Sequence, residues 1–288
     1  LMMYAIIALL ILVLIVGKAS NGSVRWIQLG PVQFQPSEAA KVVIVLYTAH
    51  VATIRAARIG DLKILLKVVA FPMAVVALIA VENLSTGIIC AAMVAVIVFV
   101  TSPKIKQFFA MGGILVGFMT IFLLTQSYRM DRIKIWLHPE KYEKGYQTMQ
   151  ALYAIGSGGI FGKGLGQSIQ KLGFIPESHN DMIFSVICEE LGLFGAACVI
   201  GLFIILVWRC VMIAMSAPDL YGALIVIGVT THIAVQVLIN VAVVTNTIPP
   251  TGVPLPFISY GGTAIFGLLI EMGLVLSVAG QIRMTKEY

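Results

Sequence analysis

Eight mostly apolar stretches follow one another along the chain, near residues 1–17, 38–54, 64–81, 85–101, 108–125, 182–208, 219–244 and 263–281. Each approaches the roughly 20 residues needed to cross a hydrocarbon core, where a lone segment satisfies its backbone hydrogen bonds only as a helix. The chain is therefore read as an all-α polytopic transmembrane helix bundle of about eight spans. With 59% hydrophobic and 11% charged residues it is not an ordinary water-soluble enzyme. No charged segment precedes the first stretch, no small-residue cleavage pattern follows it, and seven more spans come after it, so it is not a signal peptide. Leu1 is expected to lie mid-chain.

The formal net charge of +6 is explained by membrane topology rather than by nucleic acid, which is not an expected partner. Alternate short loops carry Arg55, Arg58, Lys63 and Lys67, then Lys104 and Lys106, then Arg209, then Arg283 and Lys286, whereas the opposite short loops carry Lys18 and Arg25. The positive-inside rule makes the first set cytoplasmic and puts the loops near 18–37, 82–85, 126–181 and 245–262 outside. The long 126–181 loop has seven further basic residues, but the rule weakens for long loops and the orientation stands.

Cys90, Cys188, Cys198 and Cys210 all fall in spans and form no C-x-x-C pair, and His50, His138, His179 and His232 are dispersed. Neither a disulfide framework nor a zinc motif is indicated. Residues 1–288 are read as one integral membrane domain with a single large extracytoplasmic loop, 126–181, which is too long for a simple connector. Within it, Gly156 to Gly166 holds six glycines in eleven residues. Ser157 and Gly164 break the Walker A pattern and Phe161 breaks the dinucleotide fingerprint, so no nucleotide cofactor is expected and the glycines are read as a tight turn allowing close backbone approach.

Asp181 falls where that loop meets the sixth span. Two readings stand. Ser178-x-x-Asp181 before an apolar run resembles a capping box, and an acid in a first helical turn complements the helix dipole. A carboxylate at the outer rim, flanked by Glu177 and His179, is also suited to general-base work. Ionisable groups inside spans are functional-site hypotheses by default. Glu38 and Lys41, three apart, face the same side and are expected to pair. At most one of Glu189 and Glu190 shares the helical face of Asp181. His232, Gln236 and Asn240 form an i, i+4, i+8 stripe, read as interhelical hydrogen-bond glue ahead of substrate contact. Glu271 is a lone mid-span acid with no partner evident from sequence. Pro249 to Pro256 breaks any helix and is expected to form an outside turn or re-entrant segment.

Seven motifs carry a family resemblance: Asn21–Gly30, Gln35–Lys41, Gly145–Gln150, Gly162–Leu172, Pro176–Asp181, Cys188–Gly192 and Thr251–Thr263. In that order, across essentially the whole chain, they resemble the SEDS (shape, elongation, division and sporulation) proteins, the RodA/FtsW group. The resemblance implies a peptidoglycan glycosyltransferase that polymerises lipid II, extending the nascent lipid-linked glycan at the outer face of the bacterial cytoplasmic membrane. It also implies a class B penicillin-binding protein as partner, among other divisome or elongasome membrane proteins. It assigns catalysis to Asp181 and substrate contacts to Arg25, Glu38, Lys41, Gln147, Gln150, Glu189 and Ser259.

Family members usually have ten spans, and this chain begins in what resembles the third. Where many have Gln-Pro-Asp-Leu-Gly-Thr it has Val81-Glu-Asn-Leu-Ser-Thr86, so no role tied to that Asp is carried over. His179-Asn-Asp181 stands in place of the commoner His-Thr-Asp. On this reading Asp181 activates the acceptor hydroxyl, while Arg25 and Lys41, at the outer ends of neighbouring segments, meet the diphosphate. A divalent cation, Mg or Mn, is a further expected participant, although the sequence offers no ligand cluster for it. Two other classes remain open. A lipid-linked-precursor flippase or transporter should show repeats in the two halves and broken helices at mid-membrane, and a non-catalytic scaffold would tolerate loss of Asp181.

Overall fold

The computed structural model describes residues 2–16, 18–20, 23–29, 32–102, 104, 112–113, 127–176 and 178–286. The helices are α1 (Met2–Val16), α2 (Pro36–Arg55), α3 (Leu62–Glu82), α4 (Leu84–Thr101), α5 (Ser127–Leu137), α6 (Tyr146–Gly158), α7 (Ile183–Met215), α8 (Leu220–Val244) and α9 (Gly262–Lys286). Six of the described helices, α2, α3, α4, α7, α8 and α9, are long and apolar enough to cross a membrane. Of the other two expected spans, the first is the shorter apolar helix α1, and 108–125 lies outside the described residues apart from 112–113. The chain is a multi-pass helical membrane protein.

A small sheet accompanies the helices where the sequence reads as a loop. Strands β1 (Lys18–Ser20), β2 (Ser23–Leu29) and β3 (Val32–Phe34) form an antiparallel meander in the order β1-β2-β3. Ser20 pairs with Ser23 and Leu29 with Val32, so both connections are two residues long. The first is Asn21-Gly22, the dipeptide most typical of tight hairpins, followed by the β-prone run Val24-Arg-Trp-Ile27.

The described residues sort into two compact units, of which the first comprises Leu1–Phe108, Val207–Val235 and Gly262–Tyr288. Two of its helices start where a side chain accepts an otherwise orphaned N–H group. Asp61 accepts from the Lys63 N–H at the start of α3, and Asn83 from the Thr86 N–H at the start of α4. Asn83 occupies the position of the family's Asp, and the two residue types cap helices about equally well, so the departure preserves this local job. Small residues then set the helix spacings. A methyl at Gly87 of α4 would stand 2.7 Å from the Ala80 methyl of α3, and one at Gly228 of α8 would stand 2.9 Å from Ile97 of α4 and Val45 of α2. Such glycines let membrane helices come into close contact in the absence of a hydrophobic driving force between them.

The second unit comprises Phe109–Leu206 and Gln236–Gly261. The expected single span near 182–208 is instead a 33-residue helix, α7, interrupted at Gly192 (φ 67°, ψ −165°). At about 1.5 Å per residue, 33 residues would run about 50 Å, far beyond a core of about 30 Å, whereas the stretch after Gly192 alone suffices. The segment from 126 to 181 is partly helical: α5 and α6 are joined by 3-10 turns at Pro139–Lys141 and Glu143–Gly145. After α8 ends at Val244 the backbone stays irregular to Gly261, with Asn246 (φ 55°) and Phe257 (φ 63°) in the left-handed region. That agrees with the helix-breaking reading of Pro249–Pro256.

Candidate active site

Asp181 belongs to the second unit. Residues 178–182 form turns and α7 starts at Ile183, so Ser178 does not stand at a helix N-cap and the capping-box reading fails on position alone. Backbone acceptors hold the segment instead. Asn240 Nδ2 of α8 donates to the Asp181 carbonyl and to the Val253 carbonyl, both at 2.8 Å. Ser259 Oγ donates to the Asn180 carbonyl at 2.6 Å while accepting from the Leu255 N–H at 2.7 Å. The Tyr260 N–H donates to the His179 carbonyl, and the two rings meet edge to face with centroids 5.7 Å apart. Three consecutive carbonyls, of residues 179, 180 and 181, are thus tied by the segment 240–260.

The carboxylate of the half-buried Asp181 faces Gly252, where an added methyl would stand 3.8 Å from Oδ2. The Pro-rich segment is in turn braced from α5 and α8. Arg132 donates to the Pro250 carbonyl at 3.2 Å, Trp136 Nε1 to the Asn246 carbonyl at 2.9 Å, and Gln236 Nε2 to the Pro254 carbonyl at 2.9 Å. From α6, Gln147 Nε2 donates to the Pro176 carbonyl at 3.2 Å, while Gln150 is half-buried on the same helix. Gln236 and Asn240 therefore bind carbonyls of turns and of the Pro-rich segment rather than another helix, and the interhelical contact expected of the stripe is the one that His232 makes. Arg132, Trp136 and Asn246 were not singled out from sequence, because their partners are main-chain carbonyls more than a hundred residues away in the chain.

Glu189 and Glu190 turn toward the glycine-rich loop and clamp it, in keeping with at most one of them sharing the face of Asp181. Glu189 is fully buried and accepts from Lys163 Nζ (2.6 Å), from Ser168 Oγ and from the Gln170 N–H (3.3 Å). Glu190 accepts from Lys171 Nζ (2.6 Å) and the Gly166 N–H (3.0 Å). The glycines serve the same clamp. Gly162 (φ 78°) would drive a methyl into the Glu190 carbonyl, and Gly192 would drive one into the Ile160 carbonyl. The tight-turn reading of this motif stands.

In the first unit, Glu38 and Lys41 form the expected ion pair at 2.8 Å, both buried. Their surroundings hold two more ionisable groups that sequence left apart. His232 Nε2 lies 3.0 Å from Lys41 Nζ, and His232 Nδ1 lies 2.6 Å from Glu271 Oε2. The lone acid of α9 therefore has a partner in the first residue of the α8 stripe, so His232 makes ionic contacts while Gln236 and Asn240 bind carbonyls. Arg25 falls in β2, and its side chain, like Glu177, lies outside the described residues. Among the described residues no three His, Cys, Asp or Glu side chains gather as a metal site.

These features define a class: a multi-pass helical membrane protein whose reactive groups are carried by buried polar clusters and an irregular Pro-rich segment. Residues 1–284 match the FtsW/RodA/SpoVE cell cycle protein profile, and the chain belongs to that family. It is 39% identical over 284 residues to stage V sporulation protein E of Bacillus subtilis, covering 94% of this chain and 76% of that protein. It is 34% identical over 293 residues to the probable peptidoglycan glycosyltransferase FtsW of Trichlorobacter lovleyi, covering 98% and 76%. Among solved structures, the rod shape determining protein RodA of Thermus thermophilus superposes with a TM-score of 0.68 at 30% identity, covering 96% of this chain and 75% of that one. A chain of a peptidoglycan synthase complex that coordinates polymerization and crosslinking superposes with a TM-score of 0.80 at 29% identity, covering 98% and 80%.

Proposed function

We infer that this peptidoglycan glycosyltransferase polymerises lipid II with Asp181 as its general base. The observation that carries the reading is the fixing of residues 179–181 by three carbonyl hydrogen bonds, with the carboxylate held against Gly252. A helix cap needs no such bracing, whereas a base must be held within hydrogen-bond reach of the proton it takes. The 4-hydroxyl of the acceptor sugar attacks the anomeric carbon of the lipid-diphosphate-linked donor. Its proton passes to Asp181, and the bond to the diphosphate breaks with the electron pair leaving on oxygen. Because the leaving group is already activated, no covalent enzyme intermediate is required and the anomeric centre inverts.

Contacts to the diphosphate are assigned to Arg25 and Lys41 on the motif resemblance, with Glu38 as the partner of Lys41. Gln147 and Ser259 act through the carbonyls they hold, and Glu189 through its loop. Gln150, on the same helix as Gln147, keeps the substrate contact the resemblance gives it. A divalent cation, Mg or Mn, would fit as one carried by the diphosphate and water, and would offset charge on the leaving group. Loop charges support a site at the outer face of the cytoplasmic membrane. The likeness to a chain of a peptidoglycan synthase complex supports a class B penicillin-binding protein as partner.

Asp181→Asn tests the reading with purified protein and lipid II. Polymerisation is expected to fall by about 10²–10⁴-fold with the fold intact. Undiminished polymer from that variant removes Asp181 from the base role. Lipid translocation without polymer in the wild type points instead to a flippase, and neither activity to a scaffold.

A further inference from the structure

The glycosyl transfer as read above makes no use of His232 or Glu271, yet both are 1% exposed and each is within hydrogen-bond distance of an ionisable neighbour. Burying such groups in a membrane bundle is costly, and they are found there paired and usually in service of function. Local packing explains how they meet. Gly228, one turn before His232 on α8, admits Val45, one turn after Lys41 on α2. Gly267, one turn before Glu271 on α9, lies against the Glu38 carbonyl of α2, 3.7 Å from where its methyl would be. The two glycine approaches bring Lys41, His232 and Glu271 into a line.

Proton inventory fixes the polarity of that line. A lysine ammonium carries only donors, so the imidazole nitrogen 3.0 Å from it, Nε2, must present its lone pair. The ring proton is then on Nδ1, where it donates to Glu271 Oε2 at 2.6 Å. Removing the Glu271 acceptor leaves Nδ1–H without this partner and frees the ring to take the other tautomer, which would point a hydrogen at the ammonium. An acceptor on the metal-distal nitrogen orients ligating histidines by the same logic.

We propose that His232 and Glu271 are positioning residues of the transfer reaction: Glu271 fixes the His232 tautomer, and the His232 lone pair holds the Lys41 ammonium beside Glu38 in the orientation that meets the diphosphate. The proposal rests on the reading of Lys41 as a diphosphate contact. His232 and Glu271 touch no substrate themselves. Lys41 is the residue whose placement they determine.

The test separates polarity from packing. E271Q keeps an acceptor for Nδ1–H, and H232Q keeps an acceptor toward Lys41 and a donor toward Glu271. E271M destroys the polarity, and the double variant H232L/E271M replaces the pair by apolar groups while Lys41 loses the His232 acceptor and keeps Glu38. With purified full chain and lipid II, E271M and H232L/E271M are expected to lower kcat/KM by about tenfold to a hundredfold, the loss typical of one charge-assisted hydrogen bond. E271Q and H232Q should remain within a few-fold of wild type, and H232L/E271M should melt near the wild-type temperature. Nitrogen-15 spectra of histidine-labelled protein, assigned by loss of one signal in H232Q, should show the hydrogen on Nδ1 in wild type and a mixture of tautomers in E271M.

Wild-type kcat/KM in H232L/E271M overturns the proposal. So does equal loss in E271Q and E271M, or a wild-type ring protonated at Nε2; the last does not require any variant to fold. K41M run alongside keeps the two readings apart. Undiminished kcat/KM in K41M refutes the diphosphate role of Lys41, whereas loss in K41M with full activity in H232L/E271M refutes only the positioning role.

Discussion

Replacing Glu189 by Leu should unfasten the glycine-rich loop, and the contacts allow the effect to be sized. The carboxylate is fully buried and takes hydrogen bonds from Lys163, from the buried hydroxyl of Ser168 and from the Gln170 amide. Breaking a buried ion pair from one side costs about 3–5 kcal/mol when the remaining charge stays buried. Here it does not stay buried, because the Lys163 side chain is 31% exposed and can turn to water. The remaining donors are the Ser157 and Ser168 hydroxyls and the Ile169 and Gln170 amides, of which Ser168 and Gln170, the closer two, cost about 1–3 kcal/mol each if left without a partner. The loop limits that loss by peeling away, so the cost appears as local opening of about 3 kcal/mol rather than as global unfolding.

At about 1.4 kcal/mol per decade, that opening corresponds to roughly a hundredfold faster hydrogen exchange at the amides of residues 163–172. Those of α8 should keep their protection. Lys163→Met leaves the fully buried Glu189 charge without its cation, the case that costs about 3–5 kcal/mol, so exchange across residues 163–172 should rise at least as much as in Glu189→Leu. Exchange in Glu189→Leu that matches wild type across residues 163–172 would refute the clamp and return Glu189 to direct substrate contact.

Three other substitutions follow from the same structure. Gly192→Ala forces a methyl into a backbone conformation accessible essentially to glycine and against the Ile160 carbonyl, so it should lower stability by about 3 kcal/mol or more, read as a reduced melting temperature in detergent. Asn240→Leu strips two carbonyls of their donor and should cost about 2–4 kcal/mol, with polymerisation falling further than in a surface control because the Asp181 carbonyl is one of the two. Ser259→Ala strips the Asn180 carbonyl of its donor and the Leu255 N–H of its acceptor, so it should cost about 2–4 kcal/mol and reduce kcat, since both bonds brace the segment that carries the base. A kcat equal to wild type would show that the bridge does not position Asp181.

What could be read from sequence was whatever depends on short-range periodicity. The apolar spans, the Glu38–Lys41 pair three residues apart and the break at Pro249–Pro256 are all local facts, and the structure agrees with them. The β-meander was legible in principle, because Asn21-Gly22 announces a hairpin, but the apolar flanks drew the segment into a loop between spans. Gly192 is harder. Glycine inside an apolar run is ordinary in membrane helices, and what makes it obligatory here is its left-handed backbone together with the approach of Ile160, thirty-two residues earlier. Glu271 was beyond reach for the same reason, its partner being thirty-nine residues away on another helix.

The stripe on α8 shows why residue type alone did not separate these roles. His232, Gln236 and Asn240 follow at four-residue intervals on one helical face, and each is buried. Amides can donate and accept, so Gln236 and Asn240 satisfy the carbonyls that prolines and turns leave without amide partners, which is what an irregular segment at membrane depth demands. Imidazole likewise accepts on one nitrogen while donating on the other, but its rigid ring fixes both atoms at once, and so it holds a cation and an anion at a set separation. Exchanging His232 and Gln236 would therefore keep the composition and polarity of the face while asking a ring to satisfy the Pro254 carbonyl and an amide to bridge Lys41 and Glu271. The amide can meet that demand, as can the ring through one nitrogen, but the spacing that the ring fixes between Lys41 and Glu271 is then lost. The order along the stripe, more than its polarity, is what the fold requires.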